Sequence, residues 1–287
     1  MLCPSCVRNL SAMPTDDRPI GVFDSGIGGL TVLKHLARRL PHERFVYLGD
    51  TARVPYGNRS DETVRLYALQ CARFLEQHNV KLIVVACNTV SAVAIDHLRE
   101  HSSVPVIGVI EPAAAEANLQ TSSKRIGVIG TRATIGSDAY GRAVTRHASD
   151  VVVHSRACPL FVPLVEEGWL DTAATKAIAE EYLRPLMAQN IDTLVLGCTH
   201  YPLLAPLLQE LMPTVHLVDC GACTAEEAAR ILNVEGGSST SIPRMDLYVT
   251  DVTPTFASVA RPFLGMPVND PVVVSLDALS TSAEQQK

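Results

Sequence analysis

Residues 194–204, LVLGCTHYPLL, constrain this chain more than any other stretch. An apolar strand-like run stops at a glycine and a cysteine, two polar residues follow, and a proline-containing apolar segment comes next. The same frame occurs at residues 82–90, LIVVACNTV, where a buried-strand pattern delivers Cys87, then Asn88 and Thr89, then a helix-like segment. In an open α/β sheet such turns lie at the carboxyl end of a strand and the amino end of the next helix, where ligands bind. A lone cysteine is usually a packed hydrophobe. Two in matching frames are better read as functional thiols, since a helix dipole and unpaired amides favour the thiolate.

Alternation of strand and helix patterns runs through the chain. Strands are expected at 20–23, 45–48, 82–85, 104–110, 125–130, 151–154, 194–197, 215–218, 247–250 and 272–276. Helices are expected between them, including 30–40, 60–79, 173–189 and 224–232. That order predicts two similar α/β domains with mostly parallel sheets covered on both faces, and a site in the cleft between them. Residues 1–18 read as a poorly ordered extension. A cleft with one thiol on each side has the geometry to remove a proton from one face of a carbon and return one to the other.

The first strand runs into Asp24-Ser25-Gly26-Ile27-Gly28-Gly29, a tight turn that leaves helix N–H groups open to an anion. A dinucleotide fingerprint is the rival reading, with Gly26, Gly28 and the later Asp50, but Thr31 occupies the third glycine position. Asp24 reads equally well as a helix cap. The segment 49–58, with Asp50, Arg53, Pro55, Tyr56 and Gly57, is either a substrate wall or an ordinary connection.

Charge and composition exclude several classes. A net charge of -6 with no basic run argues against nucleic acid. No stretch approaches the roughly 18 consecutive apolar residues of a membrane span, so no membrane partner is expected and a cytoplasmic location is. Eight cysteines at irregular spacing read as reduced thiols. Cys3 with Cys6 and Cys220 with Cys223 have C-x-x-C spacing, yet the first pair lies in the extension and the second leads into a helix pattern, so no metal is expected. The lysines at 34, 81, 124, 176 and 287 occupy no position suited to a Schiff base, and no cofactor is expected.

DSGIGGLTVL at 24–33, PYG at 55–57, ACNTVSA at 86–92, CPLFVPLVEEG at 158–168 and GCTHYPLL at 197–204 together resemble the glutamate racemase family, over about residues 20–276. The resemblance implies cofactor-independent interconversion of L- and D-glutamate for peptidoglycan, in an enzyme that commonly forms homodimers. It implies Cys87 and Cys198 as the two acid/bases, Asp24 assisting Cys87, and His200 with Glu166, chosen over Glu167 by motif alignment, assisting Cys198. It further implies substrate contacts from Asp24, Ser25, Tyr56, Gly57, Asn88, Thr89, Thr199 and His200. The first domain would comprise 19–111 with 220–287, and the second, carrying Cys198, 112–219.

A related cofactor-independent racemase acting on aspartate or another amino acid shares the two-thiol logic. A thiol-disulfide oxidoreductase fits poorly, because neither Cys87 nor Cys198 lies in a C-x-x-C pair. A nicotinamide-dependent dehydrogenase or a ligand-binding protein remains open from fold logic alone. The extension falls outside every motif, so a chain beginning at Pro19 is expected to match full-length turnover of glutamate; loss of activity in that truncation, with its circular dichroism intact, would make the extension part of the site or of an interface.

Overall fold

The computed structural model describes residues 16–234, 243–253, 256–266 and 270–279. The pair Cys3/Cys6, most of the extension, the segment 236–241 and Lys287 lie outside the described residues.

Among the described residues, ten strands form two sheets. The strands are β1 (Ile20–Asp24), β2 (Phe45–Gly49), β3 (Leu82–Val85), β4 (Val106–Gly108), β5 (Arg125–Gly130), β6 (Val152–Ala157), β7 (Thr193–Gly197), β8 (His216–Asp219), β9 (Met245–Val249) and β10 (Val272–Val273). One sheet has the order β10-β9-β2-β1-β3-β4 and the other β6-β5-β7-β8, and every pairing is parallel. Parallel neighbours need crossovers, and the helices supply them: α1 (Leu30–Arg39), α2 (Asp61–Gln77), α3 (Asn88–Val93), α4 (Ile95–His101), α5 (Ile110–Gln120), α6 (Arg132–Gly136), α7 (Ala139–His147), α8 (Phe161–Glu166), α9 (Ala173–Met187), α10 (Ala205–Leu211), α11 (Cys220–Ile231) and α12 (Phe256–Leu264).

The central strands β1, β2, β3 and β7 are buried along their whole length. Helices cover both faces, which is why these strands read as continuous apolar runs rather than alternating ones. Each fully buried Val, Leu, Ile or Phe contributes roughly 1.5–3 kcal/mol of transfer free energy, and strands and helices both supply such residues to the two core clusters. Helix starts follow local chemistry. Ser60, Thr131 and Thr172 each accept a hydrogen bond from the backbone N–H three residues on, capping α2, α6 and α9.

Three expected boundaries move. The strand expected over 104–110 is only Val106–Gly108, and Ile110, Glu111 and Pro112 form the first turn of α5. Pro112 fits there because the first helical N–H groups have no intrahelical partner to lose. The helix expected from 224 begins at Cys220, where the Asp219 side chain accepts from Gly221 N at 2.8 Å. The last strand is two residues long, because β10 pairs with β9 at Val272 and Val273 alone.

Asp192, just before β7, fastens the turn between α5 and β5. Its carboxylate accepts from Thr121 Oγ1 at 2.6 Å, Ser122 N at 2.8 Å and Ser123 N at 2.5 Å. Partial burial pushes its pKa up, but those hydrogen bonds outweigh it and hold the carboxyl at about 2, against an ordinary 3.8. The stabilisation is therefore present above the ordinary value and is lost as pH falls toward about 2. Asp192→Asn is expected to cost about 1 kcal/mol at neutral pH, with the gap to wild type closing on acidification in thermal unfolding scans.

Candidate active site

A cavity of about 390 Å³ opens between the two sheets at the carboxyl ends of their strands. Its wall takes Ser25 and Gly26 from the turn after β1, Tyr56 and Gly57 from the loop after β2, and Cys87, Asn88 and Thr89 from the turn after β3. From the other sheet come Thr131 and Arg132 after β5, Glu166 from α8, and Cys198, Thr199 and His200 after β7. Every residue expected from the sequence to form the site lines this cavity except Asp24, which is buried off the wall. The two thiols belong to different sheets and share one space.

The Cys198 side is a relay. Cys198 Sγ lies 3.9 Å from His200 Nδ1, and His200 Nε2 lies 2.9 Å from Glu166 Oε1. Burial works against charge on His200, but its contacts with Cys198 and Glu166 more than offset that and raise its pKa to about 10. The ring is an imidazolium at neutral pH and loses that charge only as pH rises through about 10. Glu166, not Glu167, makes this contact: α8 ends at Glu166, one turn beyond Phe161, whose ring stands edge-on to those of Tyr201 and Tyr182.

The Cys87 side is the electrostatic opposite. Cys87 Sγ donates to Ser25 Oγ at 3.5 Å, and burial, then the Asp24 carboxylate, push the thiol up to about 12. Cys87 is therefore protonated at neutral pH. Asp24 itself is raised by burial, partly countered by the charge of His200 and by backbone N–H groups; its Oδ2 accepts from Gly26 N at 2.9 Å while Oδ1 has no partner. Asn88 Oδ1 accepts from Tyr140 OH at 2.6 Å, which leaves Nδ2 buried and without a partner at the cavity wall. An unsatisfied buried donor costs free energy until a ligand accepts from it.

Asp50 is not placed for a ribose. Its carboxylate is fully buried and accepts from Arg53 Nε at 2.6 Å, from Tyr56 OH, and from Thr250 Oγ1 at 2.9 Å. Tyr56 thus faces the cavity with its hydroxyl directed to Asp50, and the loop is fixed as a wall. In the Cys220/Cys223 pair, Cys220 Sγ meets Tyr140 OH at 2.9 Å and donates to Leu196 O. The six described cysteines are free.

Four further residues complete the site without having been named as site residues from the sequence. Thr131 Oγ1 lies 3.0 Å from Thr89 Oγ1 and 2.9 Å from Thr134 Oγ1, joining the two sheets; the hydroxyl-rich start of α6 was the only signal in the sequence. Arg132 is the one Arg or Lys on the described cavity wall. Phe263, from α12, stands edge-to-face to the His200 ring at 5.1 Å. Gly28 abuts the same ring from the opposite sheet: a Cβ there would lie 2.6 Å from His200 Nδ1 and Cε1 and closer still to Thr199 Oγ1. Thr31 Oγ1 secures that approach by donating to Thr199 O at 2.9 Å.

The sequence profile of the Asp/Glu/Hydantoin racemase family matches residues 20–228. The chain is 51% identical over 250 residues to the glutamate racemase of Syntrophus aciditrophicus, covering 86% of this chain and 93% of that one. It is 47% identical over 262 residues to that of Neisseria meningitidis serogroup B, covering 90% and 97%. The crystal structure of the Francisella tularensis glutamate racemase in complex with D-glutamate superposes with a TM-score of 0.84 at 39% identity, over 92% of this chain and 99% of that one. The chain belongs to the Asp/Glu/Hydantoin racemase family.

Gly28→Ala is expected to leave the protein folded, since the atoms a Cβ would meet first belong to the Thr199 and His200 side chains and not to the apolar core, while displacing Thr199 and His200. A misplacement of about 1 Å at a reacting group costs on the order of 100-fold, so kcat/KM on glutamate is expected to fall by about that factor, measured beside an unchanged far-ultraviolet circular dichroism spectrum.

Proposed function

We propose that the chain interconverts L- and D-glutamate by proton transfer between two cysteines and the α-carbon, with no cofactor. One observation carries the reading: Cys87 and Cys198 end strands of different sheets and line the same cavity. The names of the relatives at 51% and 47% identity supply the substrate. An aspartate racemase is the alternative within the same chemistry.

The step balances as follows. One cysteine, as thiolate, takes the α-proton; the C–H electron pair stays on the α-carbon; the opposite thiol delivers its proton to the other face of that carbon. The two cysteines have then exchanged protonation states, and the reverse turnover or proton exchange with water resets them. Cys87, protonated at neutral pH, is the ready proton donor at rest. His200, as imidazolium, supplies the positive charge that a thiolate at Cys198 needs, and Glu166 holds its ring. Asp24 assists Cys87 from behind the wall.

The α-hydrogen of an amino acid is a weak acid, so charge developing in the transition state must be met by preorganised dipoles. Asn88 Nδ2, the hydroxyls of Ser25, Thr89 and Thr199, and the amide groups at the start of α3 are the donors for the substrate carboxylates, with Tyr56 and Gly57 closing the far wall. The division into 19–111 with 220–287 and 112–219 belongs to the same proposal, supported by which strands join which sheet. So do a homodimer, a cytoplasmic location and the supply of D-glutamate to peptidoglycan, which rest on the family resemblance. Among the described residues no helix is long and apolar enough to cross a membrane.

The test is the decay of the circular-dichroism signal of D-glutamate, and separately of L-glutamate, under reducing conditions without added cofactor, with both aspartate enantiomers alongside. Decay of both glutamate signals to zero, with aspartate persisting, is the expected outcome; persistence of glutamate in a folded, reduced sample would sink the proposal. Cys87→Ala and Cys198→Ala are each expected to reduce racemisation by at least about 1000-fold, the upper range for loss of a general acid or base. His200→Asn is expected to reduce it by about 100-fold.

A further inference from the structure

We propose that helix α4 carries a binding site for a divalent transition-metal ion of the zinc, nickel or cobalt class, formed by His97, Glu100 and His101. The site is separate from the cavity, whose wall includes none of the three, and it does not depend on the racemase reading.

The spacing i, i+3, i+4 puts all three side chains on one face of the helix. One ligand atom from each lies within 4.8 Å of the others, the only such cluster of His, Cys, Asp and Glu among the described residues. The two imidazole rings are 4.2 Å apart between centroids. Small side-chain rotations suffice to bring both rings to the metal–nitrogen distance of about 2.0–2.1 Å.

Two surrounding contacts favour this use. His101 Nδ1 lies 2.8 Å from the carbonyl oxygen of His97. With Nδ1–H donating to that carbonyl, Nε2 keeps its lone pair free, the arrangement in which a ligating histidine is fixed by a backbone acceptor. Arg99, between the ligands in sequence, is drawn aside: Nη1 pairs with Asp96 Oδ1 and Nε donates to Val106 O, both at 3.3 Å. Burial and the charges of His101, Arg65 and Arg73 act on His97 against a positive charge, and the carboxylate of Glu100 acts on it in the opposite sense. Two imidazoles with one carboxylate select borderline transition metals over magnesium or calcium. Glu100 and His101 are exposed, so water completes the coordination.

Occupancy has a structural consequence. α4 has seven residues, too few to hold helical form by itself. A metal joining i to i+4 binds only the helical form, so it stabilises the folded chain by mass action.

The experiment is titration of the reduced, chelator-treated full-length protein with cobalt(II) chloride, followed by calorimetry, absorption and thermal unfolding. The expected result is one equivalent bound, with visible ligand-field bands of nitrogen and oxygen ligands and a Tm that rises with cobalt concentration. His97→Ala and His101→Ala are each expected to weaken binding by at least about tenfold while leaving the metal-free Tm unchanged. An intense near-ultraviolet thiolate-to-cobalt band, equal binding by the double variant, or no heat and no shift in Tm with wild type would each overturn the proposal.

Discussion

The site depends on one close approach: the backbone at Gly28 lies against the turn of Thr199 and His200. Each sheet has its own parallel ladder and one apolar cluster spans both, but the proposed reaction, which needs both thiols, requires the two strand-end turns to meet. The absence of a Cβ at Gly28 permits the approach, and the hydrogen bond from Thr31 to the Thr199 carbonyl fixes it. The glycine that reads in the sequence as part of an anion-binding turn serves here as a point of contact between the sheets.

That contact brings together two thiols in unlike surroundings. Cys87 sits among buried groups and beside Asp24, which favours its neutral form. Cys198 faces an imidazolium tied to Glu166. The asymmetry suits a reaction in which one group must hold a proton while the other takes one. It comes from the neighbours, since the local sequence frames of the two cysteines are nearly the same. The His200 ring is defined on four sides, by Cys198, Glu166, Gly28 and Phe263, so little freedom remains to misdirect it.

The loop after β2 shows how buried charge serves shape. Asp50 is withdrawn from solvent, yet three donors from Arg53, Tyr56 and Thr250 satisfy it. Arg53 in turn reaches Gln70 at 2.5 Å and lies over the Tyr67 ring at 4.0 Å. A buried carboxylate stripped of these donors would be costly; with them it joins the loop to β9 and α2 and sets the wall of the cavity. Thr250 belongs to a segment some 200 residues away in the chain, so the wall is complete only when the late strands have joined the first sheet.

The sequence by itself determined the two strand–cysteine–polar–polar turns, the alternation that makes both sheets parallel, and the family to which these motifs belong. These features are local: apolar runs, glycine turns and helix caps act over a few residues and can be read in order. Only the tertiary structure decided that Asp50 anchors a loop, that Thr131 meets Thr89, and that Phe263 and Gly28 bracket a histidine. Those outcomes depend on contacts between residues far apart in the chain, such as the separation of 168 between Thr31 and Thr199. They are set by how the layers pack, and no local pattern encodes them.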